Sequence, residues 1–518
     1  MKSLITCCTI AGLAEWVCCP GEHNGAVIRA LADCPLVHRW SQSDERTAAY
    51  FALGRMQATG RPVAIVAGSG SAAAALAPAV VEAYYQRRPL VIITVDPAAH
   101  AGAAARPGCI EHEGMFGMYA PSLDITLPCA VSDLPDLSGL FTEGFPIHLN
   151  LRLEAGAALS GDYSTLELGD APRPPRFHGS LVELSQMLRF RAREGLVLII
   201  GALEPSEQEP VLWLAQTLCV PLLAEASSGL REELSALLLH GGDESLCQNP
   251  PPYVLRLGDI PTGRFWKQLE NLPETEVYSI TRTGFSGLSR RSHVIEGEPE
   301  QIMKALGDVP HVGDVLRLLR AGRHYTGQVE EALLAAPESE AAMVRYLSNH
   351  VCMADVLCLG SGSCTELWNR YAQVRVPTVY LRANTANSGS DGTIASFLGN
   401  AADAPFACCF TGDLALLRDL GAAGLLPQLA PGKRIVAVLN NGGAGRADSP
   451  ELDDELRRLM VQPPPYSLAE VARLWGAEYH ALYSEADFDI LDSLDDNSFV
   501  LLDIQADSAG LGTRSFMP

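Results

Sequence analysis

No Cys-x-x-Cys pair occurs among the 14 cysteines of this 518-residue chain, so the spacing of a zinc knuckle is missing. No stretch reaches the roughly 18 uncharged apolar residues that a membrane-spanning helix needs. Positive charge is scarce: 38 Lys and Arg stand against 61 Asp and Glu, a formal net charge of −23. Such a chain has no general basic face for phosphates, which excludes a general nucleic-acid binder and charge-driven docking on anionic lipid. Charged residues are only 19% and hydrophobic residues 47%, the balance of a globular chain with large cores. At roughly 100–200 residues per domain, the length fits about three domains.

The opening apolar run behind Lys2 resembles a signal peptide, but Glu15 and Trp16 stand where small residues would be needed for cleavage. Many cysteines, including the pairs Cys7–Cys8, Cys18–Cys19 and Cys408–Cys409, lie in apolar runs and read as reduced, buried thiols of a cytoplasmic protein. The six tryptophans and ten methionines show no cofactor spacing and read as core.

What is present is a grammar of short apolar strands alternating with amphipathic segments, the pattern of parallel α/β sheets covered on both faces. The first block spans 1–165, with strands at Trp16–Cys19, Val63–Ala67, Leu90–Val95 and Ile147–Leu151, and helices at 24–31, 50–59 and 72–85. A Pro-rich stretch from Asp170 to Arg176 reads as a linker. The second block spans 180–325, with strands Leu196–Ile200, Val220–Ala224, Tyr253–Leu257, Glu276–Ile280 and His293–Glu296 and a helix at 207–218. The third spans 335–518, with strands Val356–Leu359, Thr378–Leu381, Phe406–Phe410, Arg434–Leu439 and Phe499–Ile504. Blocks one and three share a similar order of elements.

In block three, one strand runs into Gly412-Asp413-Leu414 and another ends in Asn440-Asn441-Gly442-Gly443. Open α/β sheets bind ligands at the carboxyl ends of their strands. An Asp carboxylate, an Asn amide oxygen and a Gly carbonyl are hard donors that suit Mg²⁺ sharing its shell with phosphate oxygens. Either string alone is also a common turn.

Their spacing, Gly412-Asp413 with Asn440 27 positions after the Asp, resembles the cofactor motif of the thiamine-diphosphate enzymes. Asn387-Ser-Gly-Ser-Asp-Gly392 is similar to that family's diphosphate-side loop. Cys19-Pro-Gly-Glu-His-Asn24, Asp44-Glu45-Arg46, Gly68-Ser-Gly-Ser71 and Asp96 recur in the order of its pyrimidine-binding domain. With Val197–Gly201 and Trp213–Thr217 in the middle block, the strings most resemble the family of SEPHCHC synthase. That menaquinone-pathway enzyme joins 2-oxoglutarate-derived succinic semialdehyde to isochorismate.

The resemblance implies three α/β domains (pyrimidine-binding, central and diphosphate-binding), thiamine diphosphate and Mg²⁺ as cofactors, and a homodimer or homotetramer with sites shared between chains. It implies Glu45 as the carboxylate facing the cofactor's aminopyrimidine. It assigns Pro20, Gly21, Ser69, Gly70, Ser388, Gly389, Ser390, Gly412, Leu414 and Gly443 to the cofactor, and Asp413, Asn440 and Gly442 to the metal. Read from the residues alone, Asp-Glu-Arg is a helix start satisfying its own first-turn amides.

The substrate side departs from the pattern. Family arginines correspond to His23, Pro97, Thr385 and Glu366, a family Gln to Gly108, the Ile that props the bent cofactor to Ser390, and a Lys-Arg pair to Arg264-Phe265. Arginines at such positions hold carboxylates through paired, charge-assisted bonds. Three readings follow. The first is a 2-oxo acid decarboxylase or carboligase with altered specificity, in which His23 and His112, with His100, border the cleft as groups able to orient or protonate a carbonyl. The second is a true SEPHCHC synthase whose arginines come from elsewhere, with Arg106, Arg264, Arg282 and Arg446 available. The third is a cofactor-binding homologue without catalysis. All three take small-molecule ligands, with neither nucleic acid nor membrane as partner. Cys18 and Cys109 read as packing.

Overall fold

A computed structural model of the chain describes residues 1–68, 70–96, 110–153, 161–172, 177–239, 242–313, 327–373, 380–381, 390–443, 453–461 and 463–507. Three sheets run through it, and their strands pair in parallel throughout. The first holds β1 (Glu15–Cys18), β2 (His38–Ser41), β3 (Val63–Val66), β4 (Leu90–Asp96), β5 (Ser122–Leu127) and β6 (Ile147–Leu153), in the order β2-β1-β3-β4-β6-β5. The second holds β7 (Leu196–Ile200), β8 (Leu222–Ala224), β9 (Tyr253–Leu257), β10 (Glu276–Thr281) and β11 (His293–Glu296), in the order β11-β10-β9-β7-β8. The third holds β12 (Val356–Leu359), β13 (Tyr380–Leu381), β14 (Phe406–Gly412), β15 (Lys433–Leu439), β16 (Glu478–Leu482) and β17 (Phe499–Ile504). Its order, β13-β12-β14-β15-β17-β16, repeats that of the first sheet strand for strand. The shared grammar of the first and last blocks is therefore a shared topology.

Packing divides the chain into two compact units. The first comprises Met1–Pro175, Ala383–Ala404 and Ala415–Gly432. Its central strands are continuous apolar runs, Val-Ala-Ile-Val in β3 and Leu-Val-Ile-Ile-Thr-Val in β4, because helices cover both faces. The opening apolar run is the helix Lys2–Ile10, with Leu4, Ile5 and Cys8 fully buried in this core. The helix Glu45–Thr59 lies against the helix Thr393–Asn400 at very close range: a β-carbon on Gly54 would stand 2.0 Å from the Ser396 carbonyl oxygen. Arg55 on the same helix grips Glu15 of β1 through two 2.8 Å bonds from Nε and Nη2, and Trp40 Nε1 donates to the same carboxylate. A nearly buried pair of this kind costs about 3–5 kcal/mol when one partner is removed, since the other charge is then stranded.

The second unit comprises Arg176–Arg382, Pro405–Leu414 and Lys433–Pro518, and contains the other two sheets. In the middle sheet, the exits of β7 and β9 bond to each other, Gly201 N–H to Leu257 O and Asp259 N–H to Ala202 O. Around them lies an ionic cluster: half-buried Arg282 faces Glu204 at 3.6 Å and feels Asp259, Glu207 and Glu298 as well. Burial pushes the Glu207 carboxyl up to about 8 despite the nearby arginine.

Several boundaries differ from the sequence expectation. The helix expected over 50–59 begins at Glu45, and that over 72–85 is two pieces, Ser71–Ala74 and Ala77–Tyr85, with Pro78 opening the second. The helix expected at 207–218 starts at Pro205. Strands β2, β5 and β16 were not among the expected elements, and of the strand expected at 378–381 only Tyr380–Leu381 falls within the described residues.

The close approach of the two helices can be tested directly. Gly54→Leu should lower the melting temperature by several degrees or prevent folding, because the side chain must displace backbone. Gly25→Ala, where a β-carbon meets nothing within 4 Å, should leave it within about a degree, as read by differential scanning fluorimetry. Equal melting temperatures for both variants would contradict the packing.

Candidate active site

In the second unit, β14 and β15 pair in register from Phe406 opposite Lys433 to Gly412 opposite Leu439. Their next residues, Asp413 and Asn440, therefore leave the sheet side by side at its carboxyl edge. The Asp413 side chain is almost fully buried and accepts from Leu414 N–H at 2.7 Å through Oδ1 and from Gly443 N–H at 2.7 Å through Oδ2. Burial pushes its carboxyl above the ordinary range, while these backbone N–H groups oppose the shift. Gly442 and Gly443 have φ of +74° and +88°, a conformation that favours glycine, and a β-carbon on Gly412 or Gly442 would meet nothing within 4 Å among the described residues. Among the described residues the strand end thus leaves room beside a buried carboxylate.

Asn440 is oriented from behind. Its Nδ2 donates at 2.9 Å to Asp503 of β17, a buried carboxylate that also takes Tyr479 Oη–H at 2.8 Å and Gln505 Nε2–H at 3.1 Å. Because Asp503 accepts, the Asn440 amide must turn its nitrogen to it, leaving Oδ1 as the atom for a cation. Asn441 Nδ2 donates to Glu340 at 3.3 Å. Among the described residues no group of three His, Cys, Asp or Glu forms a metal cage. The donor set is one carboxylate, one amide oxygen and backbone carbonyls beside an open glycine edge. These residues fit Mg²⁺ with a diphosphate better than a transition metal.

In the first unit, the loop after β1 is tied by Asn24, which accepts from Gly21 N–H at 2.9 Å and donates to Cys19 O at 2.7 Å. Pro20 and Gly21 are exposed there and His23 is half-buried; Gly70 is buried after β3. Asp44 caps the helix Glu45–Thr59, accepting from Thr47 N–H at 3.2 Å and Thr47 Oγ1–H at 3.0 Å, worth about 1 kcal/mol. The Thr47 amide in the first turn is thus served by Asp44. The half-buried Glu45 carboxylate has no hydrogen-bond or ion-pair partner among the described residues. It lies near the buried Cys19 thiol, which burial, then this negative charge, pushes above its ordinary range. Burial likewise raises Cys18 to about 11, so it packs as a neutral thiol.

The Ser390-Asp391-Gly392 turn also belongs to this unit. Arg418 Nη1 donates to Ser390 Oγ, and Arg46, beside Glu45, pairs with Asp391 at 3.3 Å. Asp419 accepts from Gly392 N–H at 3.0 Å and Ile394 N–H at 2.8 Å; burial raises its carboxyl to about 6. These anchors join residues far apart in sequence, and no sequence signal marks them.

His112 is buried, above a polar face of the first sheet. Its Nδ1 meets Asn150 Oδ1 at 3.2 Å; Asn150 Nδ2 donates to Asp124 at 2.8 Å, and Thr94 Oγ1 donates to Asn150 Oδ1 at 3.0 Å. His148 lies between Thr94 at 2.8 Å and Ser122 at 3.0 Å. Burial, then nearby His112, pushes the His148 ring down to about 4.

Of the expected substrate residues, Glu366 is exposed in the first turn of the helix Ser363–Tyr371, and Arg264 is paired with Glu244 at 3.1 Å. Arg282 is occupied by its own acidic cluster. Ser69, Pro97, His100, Arg106, Gly108, Cys109, Thr385, Ser388, Gly389 and Arg446 lie outside the described residues. The 13 described cysteines are all free thiols.

The buried His148 ring sets a pH dependence. The unfolded ring takes a proton below about 6.5, whereas the folded one resists until about 4, so stability falls as pH drops through that window. His148→Gln should flatten this slope by up to ~1.4 kcal/mol per pH unit, measured by urea unfolding at pH 7 and 4.5. An unchanged slope would show that the ring is accessible to protons in the folded state.

Residues 1–112 match the family model of the thiamine pyrophosphate enzyme N-terminal TPP-binding domain. The whole chain is similar to the 2-succinyl-5-enolpyruvyl-6-hydroxy-3-cyclohexene-1-carboxylate synthase of Akkermansia muciniphila, 45% identical over 98% of this chain and 96% of the relative. The protein of the same name from Bdellovibrio bacteriovorus is 29% identical over 83% of this chain and 82% of its own length. Among solved structures, benzoylformate decarboxylase from Polynucleobacter necessarius aligns with a TM-score of 0.71 over 99% of both chains at 12% identity, a likeness of fold alone. A putative thiamin-diphosphate-dependent enzyme from Mycobacterium smegmatis aligns at 0.66 with 16% identity, over 95% of this chain and 96% of its own. The end-to-end identity with the Akkermansia synthase, carried on three parallel α/β sheets, makes the chain a member of the 2-succinyl-5-enolpyruvyl-6-hydroxy-3-cyclohexene-1-carboxylate synthase family of thiamine-diphosphate-dependent enzymes.

Proposed function

We propose that the protein is itself a SEPHCHC synthase, taking 2-oxoglutarate as donor and isochorismate as acceptor with thiamine diphosphate and Mg²⁺. The observation that carries this is 45% identity to a synthase of that name over nearly the full length of both chains. It favours this reading over the altered specificity suggested by the missing arginines. His23 and Glu366 differ from the family strings, but a carboxylate can also be held by backbone N–H groups or by arginines from other segments.

Thiamine diphosphate supplies the carbanion chemistry when bound. The chain's own part in the proposal is to hold and orient. Asp413, Asn440 Oδ1 and the Gly442 carbonyl hold the metal, and the glycine edge admits the diphosphate. Glu45, with no partner among the described residues while Asp44 caps the helix, would accept and return a proton at the aminopyrimidine nitrogen. Arg46 and Asp419 fix the segments on either side of that carboxylate and of Ser390. The family resemblance adds a site shared by two chains, which makes a homodimer the minimum unit.

Two measurements test this. Thiamine diphosphate should raise the melting temperature only with Mg²⁺ present; Asp413→Ala should abolish the shift, whereas Glu45→Gln should keep it and lose turnover. A shift equally large in EDTA would remove Asp413 and Asn440 from the metal. With both substrates, kcat/KM should reach about 10⁴ M⁻¹s⁻¹ or better, in the range of ordinary enzymes. CO₂ release from other 2-oxo acids but not from 2-oxoglutarate would restore the altered-specificity reading.

A further inference from the structure

The polar face beneath His112 fixes which of its ring atoms can bind. Asp124 is a carboxylate and accepts, so Asn150 must turn Nδ2 to it, at 2.8 Å, and its Oδ1 the other way. That Oδ1 already accepts from Thr94 Oγ1 at 3.0 Å and meets His112 Nδ1 at 3.2 Å. An amide oxygen has no proton to give, so His112 Nδ1 carries the hydrogen. In the neutral ring, Nε2 is then a bare lone pair. It is buried and has no hydrogen-bond partner among the described residues, in a residue only 1% exposed. Natural proteins seldom leave such an atom unmatched unless something outside the chain's own groups supplies the proton.

The position suits a ligand contact. Thr94 lies two residues before the end of β4, and β4 neighbours β3 in the sheet whose carboxyl edge carries Gly21 and Glu45. His148 completes the frame without competing. Its ring is neutral above about pH 4, and it meets Thr94 and Ser122 instead of His112 Nε2.

We propose that His112 Nε2 is a specificity contact that accepts a hydrogen bond from a hydroxyl of the second substrate, with Asn150 and Asp124 as positioning residues that hold its tautomer. This rests on the two-substrate reaction proposed above. A 2-oxo dicarboxylate offers only acceptor oxygens at neutral pH, so a lone pair gains nothing from the donor. A cyclic hydroxy acid carries the O–H that matches it.

The tests separate this contact from the reaction itself. In the cofactor-free protein, ¹⁵N-histidine NMR should show His112 as the Nδ1–H tautomer, and Asp124→Asn, on the exposed end of the network, should shift it toward Nε2–H by letting Asn150 turn over. In the loaded enzyme, His112→Leu should raise KM for the hydroxy-acid acceptor about tenfold or more. Cofactor-induced thermal shift and CO₂ release from the donor alone should stay within about twofold. His112→Gln, which can keep an acceptor at that place, should recover most of the loss, and Asp124→Asn should reproduce it if His112→Leu does not fold. An Nε2–H tautomer in the wild type, an unchanged acceptor KM in a folded variant, or an equal loss in the donor step would each overturn the proposal. If the wild type turns over neither substrate, the proposed reaction fails on its own, while the NMR result still decides the tautomer.

Discussion

Parallel pairing of β14 with β15 is the constraint on which the candidate site depends. Because Gly412 stands opposite Leu439, the chain delivers Asp413 and Asn440 to the same edge without any specific contact between them. The bond from Gly443 N–H to Asp413 Oδ2 then folds the loop after β15 back over the end of β14. A shift of one strand by one residue would reverse the faces of that strand and break the alignment. The neighbouring strand contributes too, since Asp503 of β17 turns the Asn440 amide. Three adjacent strands thus determine which oxygen atoms face the open glycine edge.

Much of the fold was legible because the central strands of a doubly covered parallel sheet must be apolar along their whole length. Val-Ala-Ile-Val in β3, Leu-Val-Leu-Ile-Ile in β7 and Arg-Ile-Val-Ala-Val-Leu in β15 announce themselves for that reason. The unread strands, β2, β5 and β16, each lie at the edge of a sheet, with one neighbouring strand. His-Arg-Trp-Ser in β2 buries only Trp40, so it carries no apolar run to recognise. The run after Lys2 was given no element: Leu4, Ile5 and Cys8 mark one side of a helix, but the surrounding small and apolar residues blur the period.

The candidate site was legible where one local string contains the whole proposed chemistry, as in Gly412-Asp413 and Asn440-Asn441-Gly442-Gly443. Asp44-Glu45-Arg46 was only half legible, because either carboxylate could cap the helix, and only the folded chain shows that Asp44 does so. Asp419, Asp503 and Asn150 act through tertiary contacts, so no local pattern marks them. The replaced arginines weigh less than the end-to-end identity for a related reason. A position in a string records which residue is there, whereas recognition of a carboxylate depends on which groups the fold brings to it.

The central claim is that Asp413, Asn440 and Gly442 form the metal edge of a thiamine-diphosphate site. Crystals grown with the cofactor and Mn²⁺ in place of Mg²⁺ would test it most directly, through the anomalous signal of the metal. The account predicts one strong peak about 2.1–2.2 Å from an Asp413 carboxylate oxygen, Asn440 Oδ1 and the Gly442 carbonyl oxygen, with the remaining ligands from diphosphate and water. Cofactor density with the metal peak elsewhere, or with Asn440 Oδ1 turned away from it, would contradict the account.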